Sequence, residues 1–351
     1  MFTPSSILRA LLIIHSVALG LDLQAAPLNW SQEKGYRWAK LTVPANGVTG
    51  FSLLPVPETG ITFSNGLSEI DGARNRVLFN GSGLAVGDYD GDGLPDIYFC
   101  SLNGQNRLYR NLGGWRFEET TAKSGVVTPF TYYRGAVFAD LNGDRLLDLL
   151  VSSNGEGVSC FLNQGAGKFV EATEFCGTRS SHGSVSMALA DIDGNGTLDL
   201  YVASNRKEDI RDQGRVNIEM VKGRPRIPES YKDRLLLRDG LILEYGEPSV
   251  LYLNDGQGRM KPVSFTNGQF LGADGLPLTK PPLDWTLSVS FRDVNQDGAP
   301  DLYVCNDFWT PDRFWINNGK GVFRAADNFA LRKISASSMG VDFADVDRDG
   351  H

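Results

Sequence analysis

The sequence predicts an all-β fold, a β-propeller of four-stranded blades, and three observations carry that expectation. An Asp-rich nine-residue segment recurs at intervals near fifty residues, a strand ending in Asn and a Gly turn follows each complete copy, and glycine is abundant, 40 residues in 351. Strand-type runs such as DIYF at 96–99 recur, and no long helical period occurs beyond the N-terminus. A hydrophobic content of 41% is enough to bury a substantial core.

Taken in chain order, residues 1–26 read as a secretory signal peptide. Arg9 precedes an apolar run over 10–19, broken only by His15 and Ser16, and small residues follow at Gly20, Ala25 and Ala26. The run is short for a bilayer span; an uncleaved anchor or a buried helix is the alternative. No Cys follows it to carry a lipid, and nothing later resembles a transmembrane helix. The expected location is secreted, periplasmic or cell-surface. Residues 27–50 form an N-terminal segment, and the repeat region runs over 51–351. Its first stretch, FSLLPVPETGITF at 51–63, resembles the closing strand and exit of a repeat, as at 117–126, and belongs to a blade completed elsewhere in the chain.

The repeats open at Asp88, Asp140, Asp191, Asp293 and Asp345, with spacings of 52, 51, 102 and 52 residues. The strand-ending Asn111, Asn163, Asn254 and Asn317 decide what the long spacing means. They lie 23, 23, 63 and 24 residues after their loop starts and 29, 28, 39 and 28 before the next. The long interval is therefore one repeat with two insertions, of about 40 and about 11 residues, rather than two repeats. Within the first repeat, strands GLAVGD, PDIYFCS, NRLYRN and WRFEETT are expected. Four strands per fifty residues is the period of a propeller blade; a β-helix coil is shorter and isolated hairpins cannot bury their faces. Seven blades are expected in the complete ring, and the chain reads as ending inside its fifth loop.

The loop spacing carries the chemistry. Side-chain oxygens at positions 1, 3, 5 and 9, with a backbone carbonyl at position 7, suit a hard cation that takes six to eight oxygens, and Ca²⁺ is the ion expected. The first loop offers Asp88, Asp90, Asp92 and Asp96 with the Leu94 carbonyl; the second Asp140, Asn142, Asp144 and Asp148 with Leu146. The third offers Asp191, Asp193, Asn195 and Asp199 with Thr197, and the fourth Asp293, Asn295, Asp297 and Asp301 with Ala299. The fifth supplies Asp345, Asp347 and Asp349. Position 6 needs a sharp turn and is Gly except for Arg145, where a left-handed backbone costs on the order of 1 kcal/mol. An EF-hand would need Glu at position 12, where Phe99, Val151, Val202 and Val304 stand. Asp and Asn also form turns without metal, but five acidic clusters without counter-ions would repel. The net charge of −8 would become about +2 with five bound Ca²⁺, and no basic stripe points to nucleic acid.

The four cysteines are too few for a disulfide scaffold. Cys160 and Cys176 flank one hairpin and are placed to bridge in an exported protein, whereas Cys100 and Cys305 occupy the same repeat position and read as buried small hydrophobes.

The loops and their surroundings resemble the FG-GAP or VCBS repeats of integrin-α-type propellers. More closely, CNDFWTPDRFWINNGKGVF at 305–323 and SMGVDFADVDRDG at 338–350 resemble exported bacterial proteins related to cartilage acidic protein, which often carry an ASPIC/UnbV domain after the propeller. The resemblance implies calcium on the propeller rim and a role in extracellular binding or adhesion, with a protein or glycan as partner.

The first insertion, about 205–248, holds ten Lys or Arg against seven Asp or Glu over 206–239. It reads as a solvated cover or, more sharply, as a platform for a partner. Asn306, Asp307, Trp309, Asp312 and Arg313, with Trp285, suggest either a sugar-stacking surface or a structural Asp312–Arg313 pair with packed indoles. Of three His, only His182 lies away from the termini, and no nucleophilic or zinc set is present. No catalytic residue is therefore assigned. A calcium-dependent lyase or glycosidase is the alternative to a non-catalytic module.

Overall fold

The computed structural model describes residues 29–40, 50–129, 131–214, 216–327, 334–335 and 337–345. The chain divides into two units, Met1–Leu53 and Leu54–His351. In the first, the described residues form a hairpin of β1 (Trp30–Glu33) and β2 (Tyr36–Ala39). The expected signal segment, 1–26, lies outside the described residues.

The second unit is built by one rule: an Asp-rich turn joins the first two strands of a sheet and an Asn–Gly turn joins the last two. β3 (Leu84–Gly87), β4 (Asp96–Phe99), β5 (Arg107–Asn111) and β6 (Phe117–Glu119) form the first antiparallel sheet in sequence order. β7 (Tyr133–Ala139), β8 (Asp148–Ser153), β9 (Gly157–Asn163) and β10 (Phe169–Glu171) form the second. The third opens with β11 (Ser184–Ala190) and β12 (Asp199–Ser204). The first insertion then folds into two hairpins of its own. They are β13 (Glu219–Val221) with β14 (Arg224–Arg226), and β15 (Leu235–Arg238) with β16 (Leu241–Glu244). β17 (Val250–Asn254) and β18 (Met260–Val263) complete the third sheet. The second insertion supplies β19 (Phe270–Leu271), which pairs in parallel with the last strand of the fourth sheet, β20 (Thr286–Arg292), β21 (Asp301–Asn306), β22 (Arg313–Asn317) and β23 (Phe323–Ala325). That fifth strand was not expected from the repeat.

Consecutive sheets pack face to face, with β3 against β7, β7 against β11 and β11 against β20. The core is accordingly three apolar layers. Tyr98, Leu108, Leu149, Val151 and Phe161 lie between the first and second sheets. Leu150, Cys160, Leu200, Val202 and Tyr252 lie between the second and third, and Tyr201, Leu251, Leu302, Val304 and Trp315 between the third and fourth. A strand covered on both faces needs apolar residues in succession rather than in alternation. β8 does this: Leu149 and Val151 enter one layer, Leu150 the next.

The turns after the outer strands explain the segment at 51–63. Short helices Thr121–Ser124 and Thr173–Cys176 end at Gly125 and Gly177, and Val56–Thr59 ends in the same way at Gly60. All three glycines have positive φ, and a Cβ on Gly60 would lie 2.6 Å from the Phe117 carbonyl oxygen, as one on Gly125 would lie 2.8 Å from that of Phe169. Gly60 thus contacts the first sheet as Gly125 contacts the second, as expected for the exit of a preceding repeat. Cys160 and Cys176 are joined in a disulfide across this exit in the second sheet, and Cys100 and Cys305 are free and buried.

Candidate metal loops and an opposing cavity

Position 1 of each loop organises the main chain around it. Asp88 accepts from the N–H groups of Gly91 (2.9 Å) and Gly93 (2.8 Å), Asp140 from Gly143 (2.7 Å) and Arg145 (2.8 Å), and Asp191 from Gly194 and Gly196 (both 2.9 Å). In the fourth loop Asp293 accepts from Asp297 (3.2 Å) and Gly298 (2.9 Å). Position 5 closes a smaller turn on the N–H of position 7, as Asp92 does on Leu94 (3.0 Å) and Asp144 on Leu146 (2.8 Å). These turns require left-handed backbone at both positions 4 and 6. Position 6 is Gly93, Arg145 (φ 70°), Gly196 and Gly298; position 4 is Gly91, Gly143, Gly194 and Gln296 (φ 63°).

Position 9 forms the floor. Asp96, Asp148, Asp199 and Asp301 are at most 1% exposed. Each accepts from the N–H of position 2 and from the N–H of the repeat's Asn; for Asp96 these are Tyr89 (3.1 Å) and Asn111 (2.7 Å). Burial pushes Asp96, Asp148 and Asp199 up to about 6, opposed by those N–H bonds and reinforced by repulsion from the other loop carboxylates. Burial raises Asp301 too.

The four loops then differ. Asp88, Asp90 and Asp92 bring carboxylate oxygens within 4.8 Å of one another, and so do Asp191, Asp193 and Asp199. Oxygens around one Ca²⁺ at about 2.3–2.6 Å are at most about 5 Å apart, so both sets fit a single such ion. In the second and fourth loops the position-3 amides of Asn142 and Asn295 donate to Asp144 and Asp297 (both 2.9 Å). In the first, Arg110 pairs with Asp90 (2.5 Å) and Asp92 (2.8 Å). The corresponding positions in the other repeats are Leu162, Leu253 and Ile316.

At the opposite end of the sheets the first insertion meets the fourth sheet. Ile210, Val216, Ile218, Leu235, Ile242 and Leu243 join Trp285, Phe308 and Trp309 around a cavity of about 530 Å³. Both indole N–H groups donate to the Glu244 carbonyl (2.8 and 2.9 Å). The charged side chains here are paired: Glu244 with Arg234 (2.6 Å) and Arg206 (3.2 Å), Asp209 with Arg211. Phe308 stands at the edge, 49% exposed with a left-handed φ of 56°.

A family model described as FG-GAP-like repeat matches residues 88–151, 140–202 and 293–351. The chain carries FG-GAP-like repeats. Each match starts at an Asp-rich loop, and the first two end within the strand that leaves the following loop. Among curated proteins, the chain is similar to cartilage acidic protein 1 of Xenopus tropicalis, 30% identical over 111 residues, which is 30% of this chain and 17% of that one. The mouse protein is 36% identical over 70 residues, 20% of this chain and 11% of the relative. The matches thus span less than a fifth of these relatives. Among solved structures, an Agrocybe aegerita lectin that recognises non-reducing terminal N-acetylglucosamine has 19% identity and a TM-score of 0.26, over 68% of this chain and 63% of the lectin. The V. cholerae biofilm matrix protein Bap1 has 18% identity and a TM-score of 0.27, over 68% of this chain and 38% of Bap1.

Within the FG-GAP repeats, the residues named from the sequence stand in equivalent places in four loops; Asp347 and Asp349 of the fifth lie outside the described residues. One expectation is corrected. Arg313 pairs with Asp284, not Asp312, because β22 turns its guanidinium toward the segment before β20. Asp312 instead accepts from Tyr303 Oη (3.0 Å), Asn306 N–H (2.8 Å) and Ser338 Oγ (2.7 Å). The repeat Asn has a role that the sequence reading used only as a landmark. Asn163 Nδ2 donates to Leu147 of its own loop and to Tyr89 of the preceding one (3.0 and 2.8 Å). Asn254 does the same to Leu198 and Leu141, and Asn317 to Pro300 and Ile192. Its fixed distance from the loops was the available signal.

Proposed function

We propose that the chain is an exported, calcium-binding β-propeller that acts as a non-catalytic extracellular binding module for a protein or a glycan. The observation that carries this reading is the division between the two ends of the sheets. One end holds four acidic loops at equivalent places in the four sheets; the other holds an insertion walling an apolar cavity of about 530 Å³. In this reading the four sheets are consecutive blades of a ring that further blades close, and calcium neutralises and stiffens the loop end. The ligand set is side-chain oxygens at positions 1, 3, 5 and 9 with the position-7 carbonyl, and the first and third loops each supply three mutually close carboxylates. Similarity to cartilage acidic protein 1 supports an extracellular place. Among the described residues no helix is long and apolar enough to cross a membrane.

The cavity favours a protein over a glycan as partner. Its lining is mostly apolar, its charged groups are paired, and both indole N–H groups are already used, leaving few donors for sugar hydroxyls. Calcium titration by calorimetry, with thermal melts in Ca²⁺ and in EGTA, tests the scaffold. Saturable heat and a higher melting temperature in calcium are expected; no heat and no shift would end the calcium reading. A glycan array with product analysis tests the partner class, and cleavage of any bound glycan would replace the binding module with an enzyme.

A further inference from the structure

The two insertions are where the repeat departs from its period, and in the fold they meet. Gly246, on the return of the first, donates its N–H to the Leu283 carbonyl (3.1 Å), in the stretch between β18 and β20 that carries the second. A Cβ on Gly246 would lie 1.8 Å from the Asp284 carbonyl oxygen, so this approach requires glycine. Beside the junction is a second cavity, of about 540 Å³. The first insertion contributes Asp233 and Tyr245 to its lining, the second stretch contributes 280–284, and the β21–β22 connection and β22 contribute Trp309 and Arg313. Pro281 and Pro282 restrict the backbone of one wall, which lowers the cost of ordering it around a ligand.

Trp309 lines this cavity and the apolar one, so its indole is the partition between them. On the second side the Tyr245 ring stands 5.7 Å from the Trp309 ring at an interplanar angle of 59°, and the two form a corner. Polar groups are available here, in contrast to the apolar side. Arg313 gives Nε and Nη2 to Asp284, its side chain is 33% exposed, and Nη1 has no partner among the described residues. Asp233 and Lys280 are exposed, and neither they nor the Tyr245 hydroxyl make a hydrogen bond or ion pair among the described residues. The charges balance: Asp284 offsets Arg313, Glu229 offsets Lys232, and Asp233 stands against Lys280. A site with aromatic surface, free donors, a free acceptor and no excess charge suits a neutral polyhydroxyl compound better than an anion or a cation.

We propose that this cavity binds a neutral mono- or disaccharide. The apolar face of a sugar ring rests in the Trp309–Tyr245 corner, and its hydroxyls bond to Asp233, Lys280 and Arg313 Nη1. The volume falls within the range of about 300–1,000 Å³ usual for small-ligand sites. The inference rests on the reading of the chain as a non-catalytic binding module and gives that module a second ligand beside the one in the apolar cavity. It does not depend on the acidic loops.

The full chain is titrated by calorimetry with maltose, cellobiose, lactose and N,N′-diacetylchitobiose, and with sodium glucuronate as the charged control. Saturable binding of at least one neutral sugar is expected, with glucuronate weaker. Asp233→Ala and Lys280→Ala change exposed side chains without fold contacts, and each should weaken that binding roughly tenfold, as for a lost hydrogen bond to a charged group. No binding by any of the four neutral sugars, tighter binding of glucuronate, or equal binding by wild type and both variants overturns the proposal. Chromatography of the recovered sugar separates the two readings. Intact sugar supports both, whereas bound and cleaved sugar supports the site and overturns the non-catalytic module. The calcium-induced shift in melting temperature should be the same in wild type, Asp233→Ala and Lys280→Ala, and a shift lost in either variant would overturn the site's independence of the loops.

Discussion

At the scale of single residues, the four loops have one geometry and unequal costs. Arg145 and Gln296 hold the left-handed backbone that glycine supplies at the equivalent positions. Arg145→Gly and Gln296→Gly should each stabilise the metal-free chain by about 1 kcal/mol, read from denaturant midpoints. Arg110 sets the first loop apart by holding Asp90 and Asp92 as an internal counter-ion. Replacing it with the Leu found in the second and third repeats should tighten the first site severalfold for calcium, and an unchanged isotherm would show that the guanidinium swings clear. The floor carboxylates predict a pH dependence. Since burial raises the folded-state values of Asp96, Asp148 and Asp199 to about 6, above the roughly 3.9 of an unfolded Asp, their effect favours the metal-free fold at low pH. That contribution is lost as pH rises through about 6. On the proposed reading a bound calcium would compete with the same protons, so its increment in melting temperature should be full at pH 7.5 and much smaller at pH 5.

At the scale of elements, the loop and the Asn turn work as one device. The Asp at position 9 receives the Asn main-chain N–H, and the Asn side chain then reaches back to the previous loop, so each repeat is fastened to its neighbour by polar bonds above the apolar layers. Asn254 is 3% exposed and serves two carbonyls, Leu141 and Leu198, while accepting from Gly256 and Gly258. Asn254→Ala should cost about 3 kcal/mol, because buried carbonyls lose their donors; a loss below 1 kcal/mol would mean that water replaces the amide. The positions of β3 to β6 follow closely from the sequence, since turn chemistry and alternation are local. The parallel strand β19 and the Arg313–Asp284 pair do not, because each joins residues far apart in the chain and neither partner carries a distinctive pattern.

At the scale of the whole second unit, the acidic loops and the apolar cavity lie at opposite ends of the sheets. The insertion's charge count suggested a solvated cover, yet its acids and bases pair with one another and its apolar residues wall the cavity with Trp285 and Trp309. Deleting 206–247 with a short Gly-Ser linker should abolish partner capture while leaving the calcium-dependent melt intact; capture by the deleted form would place recognition elsewhere. The sequence by itself determined the repeat, its four strands, the acidic loops and the place of the insertions, because turns, caps and ligand spacings are set by residues a few positions apart. Only the tertiary structure decided which charges are shared and which stand alone. Arg110 beside two carboxylates, Arg313 beside Asp284 and Arg134 without a side-chain partner among the described residues are three arginines on strands. What separates them is which carboxylates the folded strands bring beside each guanidinium, 18 positions away for Asp92 and 29 for Asp284, and strand pairing decides that.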